Sequence, residues 1–290
     1  MTEAAGIPPA ARERLARLRG KGGPAFSSAL GAGETLAIRQ AGFRPIAQVM
    51  GISYYKVGWQ QMPWGNRAGS GWGYGAPDGE TFELESQTEA YNEARRLAIG
   101  RLREEAEVAG ADAVVGVHIR RSFRDWASDL VEFVAVGTAV RSERYDLGAD
   151  GPLLCNLSGQ DVAKLVAHGF WPVGIVGGST VAYVATGSRQ QWRSAGMFSG
   201  MRNQELPDFS QGIYDARELA MARVTRDAHA VHAHGVVGVA IERSQRDYDR
   251  EINNTTYKDL IITMHVLGTA IVEVEGAPAP PAKFIALPLT

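Results

Sequence analysis

"GADAVVGVHIRRS" at residues 110–122 and "HAHGVVGVAIERS" at 232–244 are one stretch written twice, Gly116 and Gly238 lying 122 residues apart. Each Val-Val-Gly-Val run is apolar at successive positions rather than at alternate ones, which describes a strand covered on both faces. Outward from this core, two more blocks recur in the same order. "GFRPIAQVMG" (42–51) returns as "GFWPVGIVGG" (169–178) at a spacing of 127, and "AVGTAV" (135–140) returns as "VLGTAI" (266–271) at 131. Ordered blocks of this kind mean a tandem duplication. The changing spacing makes the first copy five residues longer between its first two blocks, and the second copy nine longer between its last two.

Both copies predict the same elements. A short helix ends at Gly42 or Gly169, and glycine suits the left-handed position that closes a helix. Ser158 is the expected N-cap of the second of these helices. A strand and a variable loop follow, then a long helix near 86–109 or 210–231, then two β-rich strands. The long helices carry matching stripes at helical spacing, Ala94, Ala98, Leu102, Ala106 and Ala109 in one, Ala216, Ala220, Val224, Ala228 and Val231 in the other. Small side chains there let a helix lie close to a sheet. The expected fold class is α+β: two tandem units, each a small, mainly antiparallel sheet packed by one long helix. The expected organisation is an N-terminal helical extension over 1–23, repeats over 24–145 and 151–275, and a proline-rich tail over 276–290.

Thirty basic residues against 32 acidic ones leave a formal charge of −2, so no global field recruits nucleic acid or an anionic membrane. Cys155 is the single cysteine, which excludes an intrachain disulfide and suits a reducing compartment. No stretch reaches the roughly 20 apolar residues that span a bilayer, and residues 1–20 lack a secretory apolar core. The expectation is a cytoplasmic protein that binds neither nucleic acid nor membrane.

These blocks resemble the YbjQ-like family, whose signature is a helix with Ala-Arg, then Gly-Ala-Asn/Asp-Ala-Val-Val-Gly-Val, then Gly-Thr-Ala-Val. The first copy matches at Ala94-Arg95, at 110–117 and at 137–140. The second matches at Ala216-Arg217, Val236–Val239 and Gly268–Ala270, and departs at 232–235, where His-Ala-His-Gly stands. The resemblance runs from about residue 24 to 275. It implies a compact α+β unit that assembles into rings, five subunits being typical of single-copy members. The family is labelled for heavy-metal binding, but it carries no catalytic activity and no ligand set onto these positions.

His229, His232 and His234 are the candidate metal ligands, and imidazoles of this kind suit zinc, copper or nickel. Aligned at 122, they face Glu107, Gly110 and Asp112 in the first copy, which has no histidine there. The simpler reading is a helix C-terminus: histidine interacts favourably with the terminal carbonyls, and His232 occupies the place of the helix-stopping Gly110. No cofactor is then expected. The loop 58–80 spaces Trp59, Trp64, Trp72 and Tyr74 by glycines and is either a contact surface or a loop folded onto its own unit. The tail offers Phe284, Ile285 and Leu287 to a neighbouring subunit. His118 and His265 lie in strands opposite Ala240 and Val134, a pattern of packing or surface contact. The stretch 244–257 is the extra hairpin length of the second copy, and its charge-balanced tip reads as a solvated turn. No nucleophile with a nearby base emerges, Cys155 reading as a small buried hydrophobe.

The leading expectation is a non-enzymatic, ring-forming homo-oligomer, a scaffold able to take an unknown protein partner. Five chains are the expected number, with the copies in two stacked five-unit rings, because a single ring of tandem chains holds an even number of units. A metal-binding or metal-sensing module using the second-copy histidines is the alternative. A small-molecule binder at subunit interfaces is the third.

Overall fold

The computed structural model describes residues 6–17, 25–58, 79–124, 127–147, 151–187, 205–252 and 255–274. Helix α1 (Pro9–Arg17) leads and is pinned to the first copy, Leu15 being fully buried and Glu104 accepting from the Ile7 amide at 3.0 Å. The first copy then runs α2 (Ala32–Gln40), β1 (Phe43–Lys56), β2 (Thr81–Glu83), α3 (Glu85–Ala109), β3 (Ala113–Arg124) and β4 (Ala127–Ser142). The second runs β5 (Leu153–Leu154), α4 (Gly159–Ala167), β6 (Phe170–Val184), α5 (Pro207–Ala230), β7 (Gly235–Ile252) and β8 (Thr255–Glu273). The fold is α+β.

Two four-stranded sheets form, in the orders β1-β4-β3-β5 and β2-β6-β8-β7. All their pairings are antiparallel except β3 with β5. Each sheet takes one edge strand from the other half of the chain. Leu153 and Leu154 lie beside Ala113 and Val114, while Thr81–Glu83 lie beside Val184–Ala182.

The glycine of each Val-Val-Gly-Val run has a specific task. Gly116 and Gly238 have φ of 64° and 62°, and the register with β4 or β8 slips there. These are glycine bulges, in which an extra residue in the left-handed conformation bends one strand against its partner.

The small-residue stripes do what their composition predicts. Ala94, Ala98, Leu102 and Ala106 of α3 are fully buried on β1, as Ala216, Ala220 and Val224 of α5 are on β6. Strand β1 alternates buried and exposed residues, the mark of a sheet with one covered face. Strand β6, from Val176 to Val184, is buried at every position because α5 lies on one face and α3 reaches the other.

The second hairpin is long, as the extra length of this copy implies: β7 continues to Ile252 and β8 starts at Thr255, and Gln245, Arg246, Asp247, Asp249 and Glu251 are exposed. One residue departs from a solvated tip. Arg250 is buried there with Asp259, and its guanidinium also lies 4.8 Å from the Tyr257 ring centre.

Candidate functional site

The two copies meet along a boundary that holds an ordered polar cluster. Arg121, on β3, directs one nitrogen to His265 Nε2 at 2.8 Å and donates with another to Ser244 Oγ at 2.6 Å. Because a guanidinium only donates, His265 Nε2 accepts. The proton therefore sits on Nδ1, which donates to Ser179 Oγ at 2.7 Å. Tyr91 and Phe133 enclose the same ring, with centroids 5.9 and 5.5 Å away. Arg95, from α3, crosses to the second sheet and donates to the Gly177 carbonyl at 2.7 Å. Asn156 spans the other side: its amide donates to Thr269 Oγ1 at 3.0 Å and its side-chain nitrogen to the Gly238 carbonyl at 2.7 Å.

Between these groups lies a cleft of about 320 Å³, lined among others by Arg95, Arg121, Asn156, Glu242 and His265. Its charge is net positive. Burial, with Arg121 and Arg95 nearby, holds the His265 imidazole well below its ordinary value. Burial likewise lowers Arg95, to about 10.

The lowered imidazole has a consequence for stability. Above its unfolded value near 6.5 the ring is neutral in both states and contributes no pH dependence. As pH falls through that value the unfolded chain binds a proton that the folded chain refuses. Stability is then lost, by up to about 1.4 kcal/mol per pH unit. Urea titrations between pH 7 and 5 should show this loss, and His265→Gln should flatten it; an unchanged slope contradicts the buried neutral ring.

A second buried cluster stands in the long hairpin. Asp259 accepts from Tyr183 Oη, from the Thr186 amide at 2.7 Å and from the Arg250 guanidinium, while Arg250 also donates to the Thr186 carbonyl at 3.0 Å. Burial and the adjacent carboxylate push the Tyr183 phenol far up.

The sequence-derived candidates fall elsewhere. Helix α5 ends at Ala230, with His229 in its last turn. His232 takes φ of 52°, the conformation Gly110 takes (71°) in the first copy. His234 Nδ1 accepts from the Glu273 amide at 3.1 Å, which occupies the lone pair a metal would need at that nitrogen. All three histidines are exposed and do not fit a metal centre; among the described residues no three His, Cys, Asp or Glu side chains gather to hold an ion. Trp59, Trp64, Trp72, Tyr74, Phe284, Ile285 and Leu287 lie outside the described residues. Cys155 is buried, its thiol pushed up to about 12 by desolvation, as an inert packing residue would be. Among the described residues no helix is long and apolar enough to cross a membrane.

Comparison with known proteins agrees with the repeated fold. Residues 79–143 match a family described as "Putative heavy-metal-binding". Over 242 residues the chain is 37% identical to Encapsulin nanocompartment protein Rv1762c of Mycobacterium tuberculosis, a match covering 82% of this chain and 84% of that one. It is 47% identical over 58 residues to a UPF0145 protein of Clostridium perfringens, and 44% over 62 residues to one from Thermotoga maritima. Those two matches cover 20% and 21% of this chain and about half of each relative, 53% and 57%. The names of these relatives describe no reaction. A helix laid on an antiparallel sheet with a glycine bulge, present twice, defines a tandem-repeat α+β protein. The chain belongs to the YbjQ-like family.

Proposed function

We propose that this protein is a non-enzymatic, cytoplasmic assembly or scaffold protein whose chains associate into a closed ring. One observation carries the reading: the first copy docks on the second through a strand edge, β3 with β5, and a helix face, α3 on β6. Repeat-to-repeat docking is therefore a property of the unit, and surfaces built for it occur twice per chain. The relative named for an encapsulin nanocompartment, itself a protein assembly by name, supports the same reading.

Tandem chains have two routes to closure, five chains in two stacked five-unit rings or a single ring with an even number of units. The β3–β5 pairing makes the two copies successive neighbours along one edge series, which supports the single ring. The aromatics of 58–80 and the apolar end of the tail (Phe284, Ile285, Leu287) are then contact surfaces between subunits or toward a protein partner. Light scattering on the untagged protein after gel filtration should give a whole multiple, two or greater, of 31.2 kDa. A mass of one chain at micromolar concentration contradicts the assembly reading. Elemental analysis of the same fraction tests the metal alternative, one tightly held zinc, copper or nickel per chain being the result that would restore His229, His232 and His234.

A small-molecule site is the second reading, favoured by the cleft between the copies. Its volume lies at the lower end for ligand pockets, and Arg95 and Arg121 outweigh Glu242, which suits a small anion. Millimolar inorganic phosphate or citrate should raise the unfolding temperature of the native chain but not of Arg121→Gln. Equal response of the two proteins removes this reading.

A further inference from the structure

The two copies are alike in sequence but not in what covers them. At β3 the edge is filled: the Gly116 amide donates to the Leu157 carbonyl at 2.9 Å, Val117 to Cys155 at 3.0 Å, and Cys155 back to Val114 at 2.9 Å. The matching edge of β7 is the outer edge of its sheet. Val117 is 1% exposed, whereas its counterpart Val239 is 41% exposed and Ile241 is 47% exposed. A long apolar edge of this kind is a template for another strand.

The segment that belongs there is present in the first copy. At the 127-residue spacing, Phe26–Leu30 corresponds to Leu153–Leu157, and Gly31, which caps α2, to Ser158, which caps α4. The equivalence holds atom by atom where it is tested. The Ala29 amide donates to Thr138 Oγ1 at 2.9 Å just as the Asn156 amide donates to Thr269 Oγ1. Leu30 packs against Gly116 as Leu157 packs against Gly238. Yet Phe26 is 52% exposed, while its counterpart Leu153 packs into a core with Phe43 and Trp171.

The helices tell the same story. Helix α3 reaches across to β6, where Asn92 grips both backbone groups of Ser179 at 2.9 Å. The counterpart of Asn92 on α5 is Tyr214, which is exposed. The face of β1 equivalent to the one α3 covers on β6 shows Met50 and Tyr54, also exposed.

We propose that these surfaces are the two sides of one heterologous interface and that a second copy of this chain fills it. Residues 26–30 of the neighbour lie along the β7 edge, parallel to it, and α5 covers the neighbour's β1 at Met50 and Tyr54. The Gly238 and Val239 amides donate to the neighbour's Leu30 and Ser28 carbonyls. Such head-to-tail contacts close into a ring when the rotation per chain allows it. This inference rests on the assembly reading and gives it a specific surface.

Parallel pairing of Val114 with Leu154 places both side chains in one core, so the matching pair between chains is Val236 with Ser27. The test is the double variant Ser27→Cys, Val236→Cys, oxidised and run on a non-reducing denaturing gel, with native mass spectrometry beside it. Buried Cys155 stays silent. We expect covalent multiples of 31.2 kDa from the double variant and single chains from either single variant. Native multimers that never cross-link overturn this interface and leave the assembly reading standing. Native monomers without cross-links overturn both. Should Val236→Cys fail to fold by circular dichroism, Phe26→Cys with Gly235→Cys, the equivalent of the Leu153–Ala113 pair, gives the same three outcomes.

Discussion

Asp259→Ala lowers the unfolding free energy by about 3–5 kcal/mol, the loss typical of breaking a buried ion pair from one side. The side chain of Asp259 has no exposure and that of Arg250 only 4%. Alanine at 259 leaves the Tyr183 hydroxyl, the Thr186 amide and a full guanidinium charge without their acceptor in the hairpin interior. Most of the loss comes from the stranded charge rather than from the attraction removed. Replacing both partners by apolar residues, Arg250→Met with Asp259→Leu, removes the stranded charge and returns part of the stability, the Tyr183 hydroxyl and the Thr186 amide still lacking their acceptor. Tyr183→Phe removes one hydrogen bond to a carboxylate and costs about 1.5–3 kcal/mol. Urea unfolding of the four proteins checks the order. A loss below about 1 kcal/mol for Asp259→Ala, under a third of the ordinary range, contradicts a desolvated pair.

Gly51→Ala is the second large effect, a loss of about 3 kcal/mol or more, at the upper end for overpacking. A Cβ at this position would stand 1.9 Å from the Ala98 carbonyl oxygen and 2.5 Å from the Leu102 nitrogen. Both are helix backbone atoms, which cannot rotate away as a side-chain tip can. The equivalent residue of the second copy, Gly178, would place its Cβ 2.6 Å from the Ala220 oxygen and 2.7 Å from the Arg223 Cβ. Gly178→Ala should therefore be destabilising in the same way but by less. Gly100 supplies a control of opposite sign: nothing lies within 4 Å of its Cβ position, so Gly100→Ala stabilises α3 by roughly 0.5–1 kcal/mol. Thermal unfolding orders the three variants. A harmless Gly51→Ala would mean that α3 lies farther from β1 than the glycine implies.

What the sequence made legible follows from local periodicity and from comparing the copies. The alanine stripes located both long helices to within three residues of their ends. The paired glycines of the Val-Val-Gly-Val runs marked positions that turn out to be bulges. His232 in the place of Gly110 marked a left-handed residue at a helix end, because only the position's conformation, and not a ligand, is shared by the two. The exchange of β2 and β5 between the sheets was not legible. Strands of three and two residues carry no period, and their partners stand about 100 and 40 positions away. Nor was the cluster at the copy boundary: Arg121 and His265 meet across 144 positions. The trace they left was the mismatch of His265 with Val134, a place where one copy needs a polar group that the other does not. The buried arginine of the long hairpin, Arg250, was hidden for a related reason. Alternating Arg and Asp look solvated in sequence, and only the packing of Tyr183 and Thr186 against Arg250 and Asp259 reveals that one pair is buried.

The equivalent edges of β3 and β7 differ in what covers them, a difference that can be measured within a single assembled protein. Gly116 and Val117 donate their amides to the segment seated on β3, and in the proposed interface Gly238 and Val239 donate to the equivalent segment, Leu30 and Ser28, of a neighbouring chain. Hydrogen exchange read by mass spectrometry on peptides spanning 114–118 and 236–240, in the assembled protein, compares the two edges within one sample. Slow exchange is expected at both. Exchange within seconds at 238–239 in an assembly that remains intact, with 116–117 protected, would mean that the β7 edge is open and that the chains meet elsewhere.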